Sequence, residues 1–218
     1  MQLELDHFFI LTDQPEQAGD RLVDFGLQES FRRDHKGQGT SNRCFVFANG
    51  MLELLYLRDA MEANQGPAKS MHLVERLARP DASPFGVVLT RTCEMAIPMP
   101  FQGWSYQPDY FPVPNAFHVG ANSAILAEPL CVYVPFMSQV KRYKKVKRDK
   151  GEAPLGTISK VTMAVANEAF SDTLKDLSSV DRLAFVKAEE HLVELTLGNE
   201  EGDEWQDFRP HLPLIIRC

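Results

Sequence analysis

No run of about 18 apolar residues occurs in this chain, so it encodes no helix long enough to span a bilayer. Basic charge is not in excess either. The 23 Lys and Arg stand against 30 Asp and Glu, for a formal net charge of −7. General affinity for nucleic acid or for an anionic membrane is not expected of such a surface. Cysteine is sparse and scattered: Cys44, Cys93, Cys131 and Cys218 form no C-x-x-C pair and no zinc-ribbon spacing. They read as free thiols in a reducing cytoplasm, and each is better explained as an inert buried thiol than as a nucleophile. No Ser-His-Asp or Cys-His arrangement can be assembled from the positions present. The first residues run directly into a patterned strand with acidic residues, which gives the expectation of no secretory leader and a cytoplasmic protein.

Apolar residues, by contrast, are plentiful. At 44% of 218 residues they can fill a sizeable core, in one large domain or two small intimate ones at about 100–200 residues each. The segment LELDHFFILTD (Leu3–Asp13) reads as a strand. Strict alternation would place Leu3, Leu5, His7, Phe9 and Leu11 on one face, with a histidine among hydrocarbons. A helix follows, with Asp13 as its cap, Glu16 completing a capping box, and Ala18, Leu22 and Phe25 as its apolar stripe. RCFVFANGMLELLYL gives two strands joined at Asn49-Gly50, a strong hairpin signal. With Gln28–Asp34 also extended, Leu3–Leu57 is a β-α-β-β-β block.

A short helix is expected within Pro67–Arg79. A second extended block runs from Pro84 to Phe136, with a degenerate helix because CEMAIPMPFQGW holds two prolines. A third block starts at Ile158, with Asn167 as a helix cap, Phe170, Leu174 and Leu177 as a helical stripe, and two strands turning near Glu189-Glu190. The expected organisation is therefore 1–140 (blocks 3–57 and 84–136), a basic linker 141–156, and a module 157–218, joined in one compact unit. The linker KRYKKVKRDKGEAP looks like a nucleic-acid patch, but in an acidic chain it reads as a solvated connection, with NEEGDEWQD (Asn199–Asp207) as its acidic counterpart.

In MLELLYL, residues Met51, Glu53, Leu55 and Leu57 share a face on which Glu53 is the sole polar side chain. Two strands of one block thus each carry one ionisable residue on an apolar face. An ionised carboxylate there must be paired, hydrogen-bonded or metal-bound. His7 and Glu53 are therefore candidate catalytic partners, or simply a structural pair. The aromatic, Pro-rich stretch FQGWSYQPDYFPVPNAFHVG adds Trp104, Tyr106, Tyr110, Phe111 and Phe117 as candidate pocket walls, with His118 as a polar contact. The loop GQGTSNR (Gly37–Arg43) lacks G-x-G-x-x-G and precedes a strand, so no dinucleotide site is expected there.

The LDH strand, the GQGTSNR loop and the NGMLELL hairpin, in that order, resemble the glyoxalase-like branch of the vicinal oxygen chelate superfamily. The resemblance is strongest over Leu3–Leu57. It implies an α+β fold of tandem βαβββ modules, with strongly curved mixed sheets and helices outside. It also implies a divalent metal (zinc, nickel, manganese, iron or magnesium) ligated by His7 and Glu53, acting as a Lewis acid on substrate oxygens. Asn42 and Arg43 would stand at the mouth of the hollow, Arg43 gripping a substrate carboxylate. Homodimers are common in such families. The sequence departs from the metal-bearing pattern: the second block offers Phe85 or Gly86 and Val132 or Tyr133 as counterparts of His7 and Glu53. The third offers Val161 and Val193 or Glu194. A third ligand would have to come from His118, His191 or His211.

The expectation is a protein acting on, or only binding, a small oxygenated metabolite such as a 1,2-dicarbonyl, a 2-oxo acid or a catechol-like ring. An enzyme of this kind would be a lyase, isomerase or dioxygenase. Without metal, Glu53 would be a general base whose pKa is raised by apolar neighbours, oriented by His7. The alternative is a metal-free, non-catalytic binding protein of the same fold.

Overall fold

The architecture follows from a computed structural model that describes residues 2–138, 156–198 and 204–218. The basic run expected between the second and third blocks, and residues 199–203 of its acidic counterpart, lie outside the described residues.

The first block folds as β1 (Leu3–Leu11), α1 (Pro15–Asp24), β2 (Glu29–His35), β3 (Thr40–Phe47) and β4 (Gly50–Leu57). Helices α2 (Ala60–Gln65) and α3 (Leu73–Ala78) lead into β5 (Phe85–Arg91). Then come β6 (Gly103–Tyr106), β7 (Phe117–Gly120) and β8 (Leu130–Ser138). These eight strands form one sheet in the order β2-β3-β4-β1-β5-β8-β7-β6. The order 2-3-4-1 is repeated across the central seam as 5-8-7-6. β1 runs parallel to β4, β5 runs parallel to β8, and β1 meets β5 antiparallel. The second block, for all its degenerate helix, is thus the one that shares a sheet with the first. β6 and β7 lie in the stretch whose prolines hid them from pattern reading.

The rest is a separate five-stranded sheet: β9 (Ile158–Val165), α4 (Asp172–Asp176), β10 (Leu183–Lys187), β11 (Leu192–Leu197), β12 (Trp205–Asp207) and β13 (Leu214–Arg217). Its order is β10-β9-β11-β13-β12. β10 and β11 do not form a hairpin with each other. They flank β9, parallel and antiparallel respectively. Aligning Val193 with Glu53 on a shared hairpin turn therefore has no basis, because β11 occupies the place relative to β9 that β5 occupies relative to β1.

Two helix starts differ from expectation. The residue before α1 is Gln14, which makes no side-chain cap, and Pro15 sets the first turn. The α4 cap is Ser171, whose hydroxyl accepts from the Leu174 N–H, so Asn167 plays no such part. Ala18 and Leu22 are buried as the stripe requires.

One face of the large sheet carries Leu5, Phe8, Ile10, Leu52, Leu54, Phe85, Val87 and Leu89 into a continuous core with α1 and the small sheet (Val161, Met163, Leu195, Ile216). Asn49 at the β3–β4 turn clips the two sheets together, accepting from Ile158 N–H and donating to Ile158 C=O, each at 2.9 Å. The opposite face holds a second apolar cluster including Phe9, Leu55, Val88, Tyr106, Val119 and Val132. The hollow lies there. Among the described residues no helix is long and apolar enough to cross a membrane.

Candidate functional site

β1 does not alternate strictly. The β1–β5 register slips between Leu5, opposite Leu89, and His7, opposite Val88. This is a bulge with Asp6 as the extra residue. Leu3 and Leu5 consequently sit in the core with Phe8 and Ile10, and both Asp6 and His7 face the hollow with Phe9. The expected single face Leu3–Leu5–His7–Phe9–Leu11 is therefore split in two. The Leu5 carbonyl, beside the disrupted ladder, accepts from Arg182 of the small sheet's connection at 3.1 Å.

The hollow encloses a cavity of about 640 Å³ lined by residues of β1, β2, β3, β4, β5 and β8, of the β6–β7 segment, and around α3. Its floor carries a row of ionisable groups. Asp6 Oδ2 is 2.7 Å from His7 Nδ1, and His7 Nε2 is 3.4 Å from Glu53 Oε2. Asn42 Nδ2 donates to Glu53 Oε1 at 2.6 Å. The Asn42 amide oxygen accepts from Arg33 N–H, and its nitrogen lies 3.4 Å from His35 Nε2. His35 Nδ1 and Gln38 Nε2 meet on Thr40 Oγ1, while the hydroxyls of Tyr106 and Tyr110 both donate to Gln38 Oε1 at 3.1 Å.

Glu53 is 6% exposed, so its charge state is set by its partners rather than by water. Burial alone pushes its carboxyl up, but the hydrogen bond and charge of His7, with His35 and Asn42, outweigh this and hold it below the ordinary range. A base raised by apolar neighbours is thus not what the site contains. Burial likewise disfavours the His7 imidazolium, yet the hydrogen bonds and charges of Asp6 and Glu53 reverse that and lift it to about 9. His7 is an imidazolium between two carboxylates at neutral pH. His35, which among the described residues meets no carboxylate at hydrogen-bond distance, is held low, chiefly by burial.

Of the residues expected at the site, His7, Glu53, Asn42, Tyr106, Tyr110, Phe111 and Phe117 line the cavity together. Arg43, Trp104 and His118 do not. Arg43 is one residue from Asn42 on β3 and so points to the other face. There it is 1% exposed and bonds to Glu29 at 2.6 Å and Asp20 at 3.1 Å, with two carbonyls of α1. It is a buried clamp on α1, remote from the mouth of the hollow. Trp104 donates to Ser123 Oγ, and His118 stacks on Phe101 while donating from Nε2 to the Phe101 carbonyl. Pattern reading missed Asp6, Arg33, His35 and Gln38. Phe31, Arg33 and His35 all line the cavity at period two along β2, a signal legible in ESFRRDH.

A divalent ion needs three or four protein ligands. In the second block the cavity lining is supplied by Val88, which pairs with His7 in the β1–β5 register, and by Leu130, Val132 and Val134. His7 Nδ1 is taken by Asp6 and Glu53 Oε1 by Asn42. Among the described residues no three His, Cys, Asp or Glu side chains converge to hold an ion. The described residues do not fit a protein-ligated metal.

Residues 5–91 match the family model described as a glyoxalase-like domain. That segment is similar to a glyoxalase-like domain, and the described chain is an α+β fold of mixed sheets with few helices. A crystal structure of a hypothetical protein from Staphylococcus aureus is similar over 100% of this chain and 98% of its own, at 13% identity and a TM-score of 0.62. Methylmalonyl-CoA epimerase from Mycobacterium tuberculosis aligns over 64% of this chain and 91% of its own, with 9% identity and a TM-score of 0.38. A mutant 4-hydroxymandelate synthase from Streptomyces coelicolor aligns over 98% and 61% respectively, with 9% identity and a TM-score of 0.43. No curated protein matches the sequence.

Proposed function

We propose that this protein receives a small oxygenated metabolite with a substantial apolar body, its polar head meeting the floor formed by Asp6, His7, Glu53 and Asn42. The observation that carries this reading is the pairing of about 640 Å³ of largely hydrocarbon and aromatic space with one compact polar floor. Cavities of about 300–1,000 Å³ with few convergent polar groups are the usual form of small-molecule sites. The test is a fluorescence titration with the neutral probe N-phenyl-1-naphthylamine. Saturable one-to-one binding is expected, abolished by Val132→Trp, which fills the cavity from β8 while the unfolding midpoint is kept. Binding that is non-saturable, or unchanged in that variant, refutes the reading.

Turnover is a second reading, favoured by the Asp6–His7–Glu53 row. Glu53 would accept a proton from a carbon acid, and the adjoining imidazolium would stabilise the negative charge left in the site. Solvent deuterium incorporation into 1,2-dicarbonyl and 2-oxo acid compounds, absent with Glu53→Gln, is the expected signature. Equal incorporation in both proteins removes it. The alternative of binding without chemistry rests on the fact that both His7 nitrogens already face carboxylates.

A further inference from the structure

The alternation of β2 sorts its charged residues between two faces. Arg32 and Asp34 point away from the hollow. There Arg32 bonds to Glu29 at 2.6 Å and to Glu16 at 2.8 Å, and Asp34 accepts from the Ser41 hydroxyl at 2.6 Å. Phe31, Arg33 and His35 face the hollow. Arg33 is the sole Lys or Arg among the described residues that line the cavity. Among the described residues its guanidinium has neither an ion-pair partner nor a hydrogen bond. It lies 5.7 Å over the Phe31 ring, which gives the long side chain a platform. Its charge bears on His35 and Tyr110, its neighbours in the lining. β2 is an edge strand of the large sheet, and Phe31 and Arg33 are both exposed, so the pair forms an open rim of the cavity. Glu53 is two strands further in, on β4, which at about 4.8 Å per strand is about 10 Å of sheet. That is comparable to the screening length of about 8–10 Å at ordinary ionic strength, so the floor carboxylate opposes an anion at the rim only weakly.

Given the cavity as a ligand site, on which this step rests, we infer that Arg33 is a specificity-determining residue that holds a ligand carboxylate at the rim. The ligand's apolar body then fills the hollow and its oxygenated end reaches the floor. A guanidinium presents a planar fork that a carboxylate meets with two parallel hydrogen bonds and one balancing charge. A phosphate would bring about two negative charges to a rim with one cation, so the ligand class is an amphipathic monocarboxylate. The Ser138 hydroxyl, buried and without a partner among the described residues, also lines the cavity, but it carries no charge.

Calorimetry on the intact protein compares 4-butylbenzoate with 4-butylbenzamide, which has nearly the same shape and no charge. The wild type is expected to bind the benzoate about fivefold tighter, a preference that shrinks as sodium chloride rises from about 0.05 to about 0.5 M. Arg33→Gln should bring the two probes within about twofold by weakening the benzoate alone, and Arg33→Lys should keep part of the preference. Benzoate bound no tighter than the amide by the wild type overturns the assignment and leaves the cavity reading intact. So does a preference that survives Arg33→Gln, whether it is then lost in Ser138→Ala, lost in His7→Gln or lost in neither. Failure of both probes to bind overturns the two together.

Discussion

Raising the pH should unload the His7 imidazolium, and the size of the effect can be worked out. In an unfolded chain the imidazole titrates near its ordinary 6.5, whereas in the folded protein it holds its proton to about 9. Below pH 6.5 both states are protonated and the full stabilisation is present. As pH rises the unfolded state loses its proton first, so the contribution shrinks, and it is gone once the pH has passed about 9. At 1.36 kcal/mol per unit, the difference between 6.5 and about 9 corresponds to about 3 kcal/mol. The side chain is only 17% exposed, so solvent screening removes little of it. The assay is urea unfolding of the wild type and of His7→Gln at a series of pH values from about 6 to about 10. His7→Gln keeps a donor but never carries charge. The stability gap between the two proteins should be largest at the acidic end and close toward alkaline pH. A gap that is flat across the series, or that widens with pH, refutes the assignment of His7 as an imidazolium held by two carboxylates.

Arg43→Met should destabilise the fold by about 2 kcal/mol in urea, because it removes the buried charge-assisted hydrogen bonds to the α1 carbonyls and to Glu29, which keeps Arg32 as a partner, yet leave probe affinity unchanged. Gly86→Ala places a Cβ 2.1 Å from the Phe9 ring, which must then swing into the cavity. Calorimetry should show probe binding weakened about tenfold. Tyr110→Phe removes the hydroxyl that ties the Pro-rich β6–β7 segment to Gln38. With about 1 kcal/mol of hydrogen bond lost, stopped-flow probe dissociation should be about fivefold faster. Elemental analysis of protein purified without chelator should find well under one equivalent of divalent metal, and no change with His7→Ala. A full equivalent lost in that variant contradicts the donor-set argument.

The first block was legible because its signals are local. Asn49-Gly50 sets the hairpin, and period two through MLELLYL places Met51, Glu53 and Leu55 together in the cavity, as they are found. The same hairpin pairs Cys44 with Glu53, which puts Asn42 on the cavity face and Arg43 on the other. That information was in the turn, but the resemblance of the loop obscured it. The parity of β1 could not be read, since nothing in LELDHFF announces a bulge. Nor could the pairing of blocks. Which strands flank β9 is decided by contacts between distant segments, and β6 and β7 are too short and too mixed to show alternation.

The extra residue in β1 has a bearing on how the site can be altered. Because two side chains stand where a regular strand would present one, shortening the chain by Asp6 alone would let Leu5 and the imidazole resume ordinary succession. Every hydrocarbon downstream would stay on its own side. A lone acidic group could thus be gained or lost here by a single-codon event without turning the core inside out. Arg182, reaching across from the other sheet to the carbonyl at that point, would be the first contact to register the change.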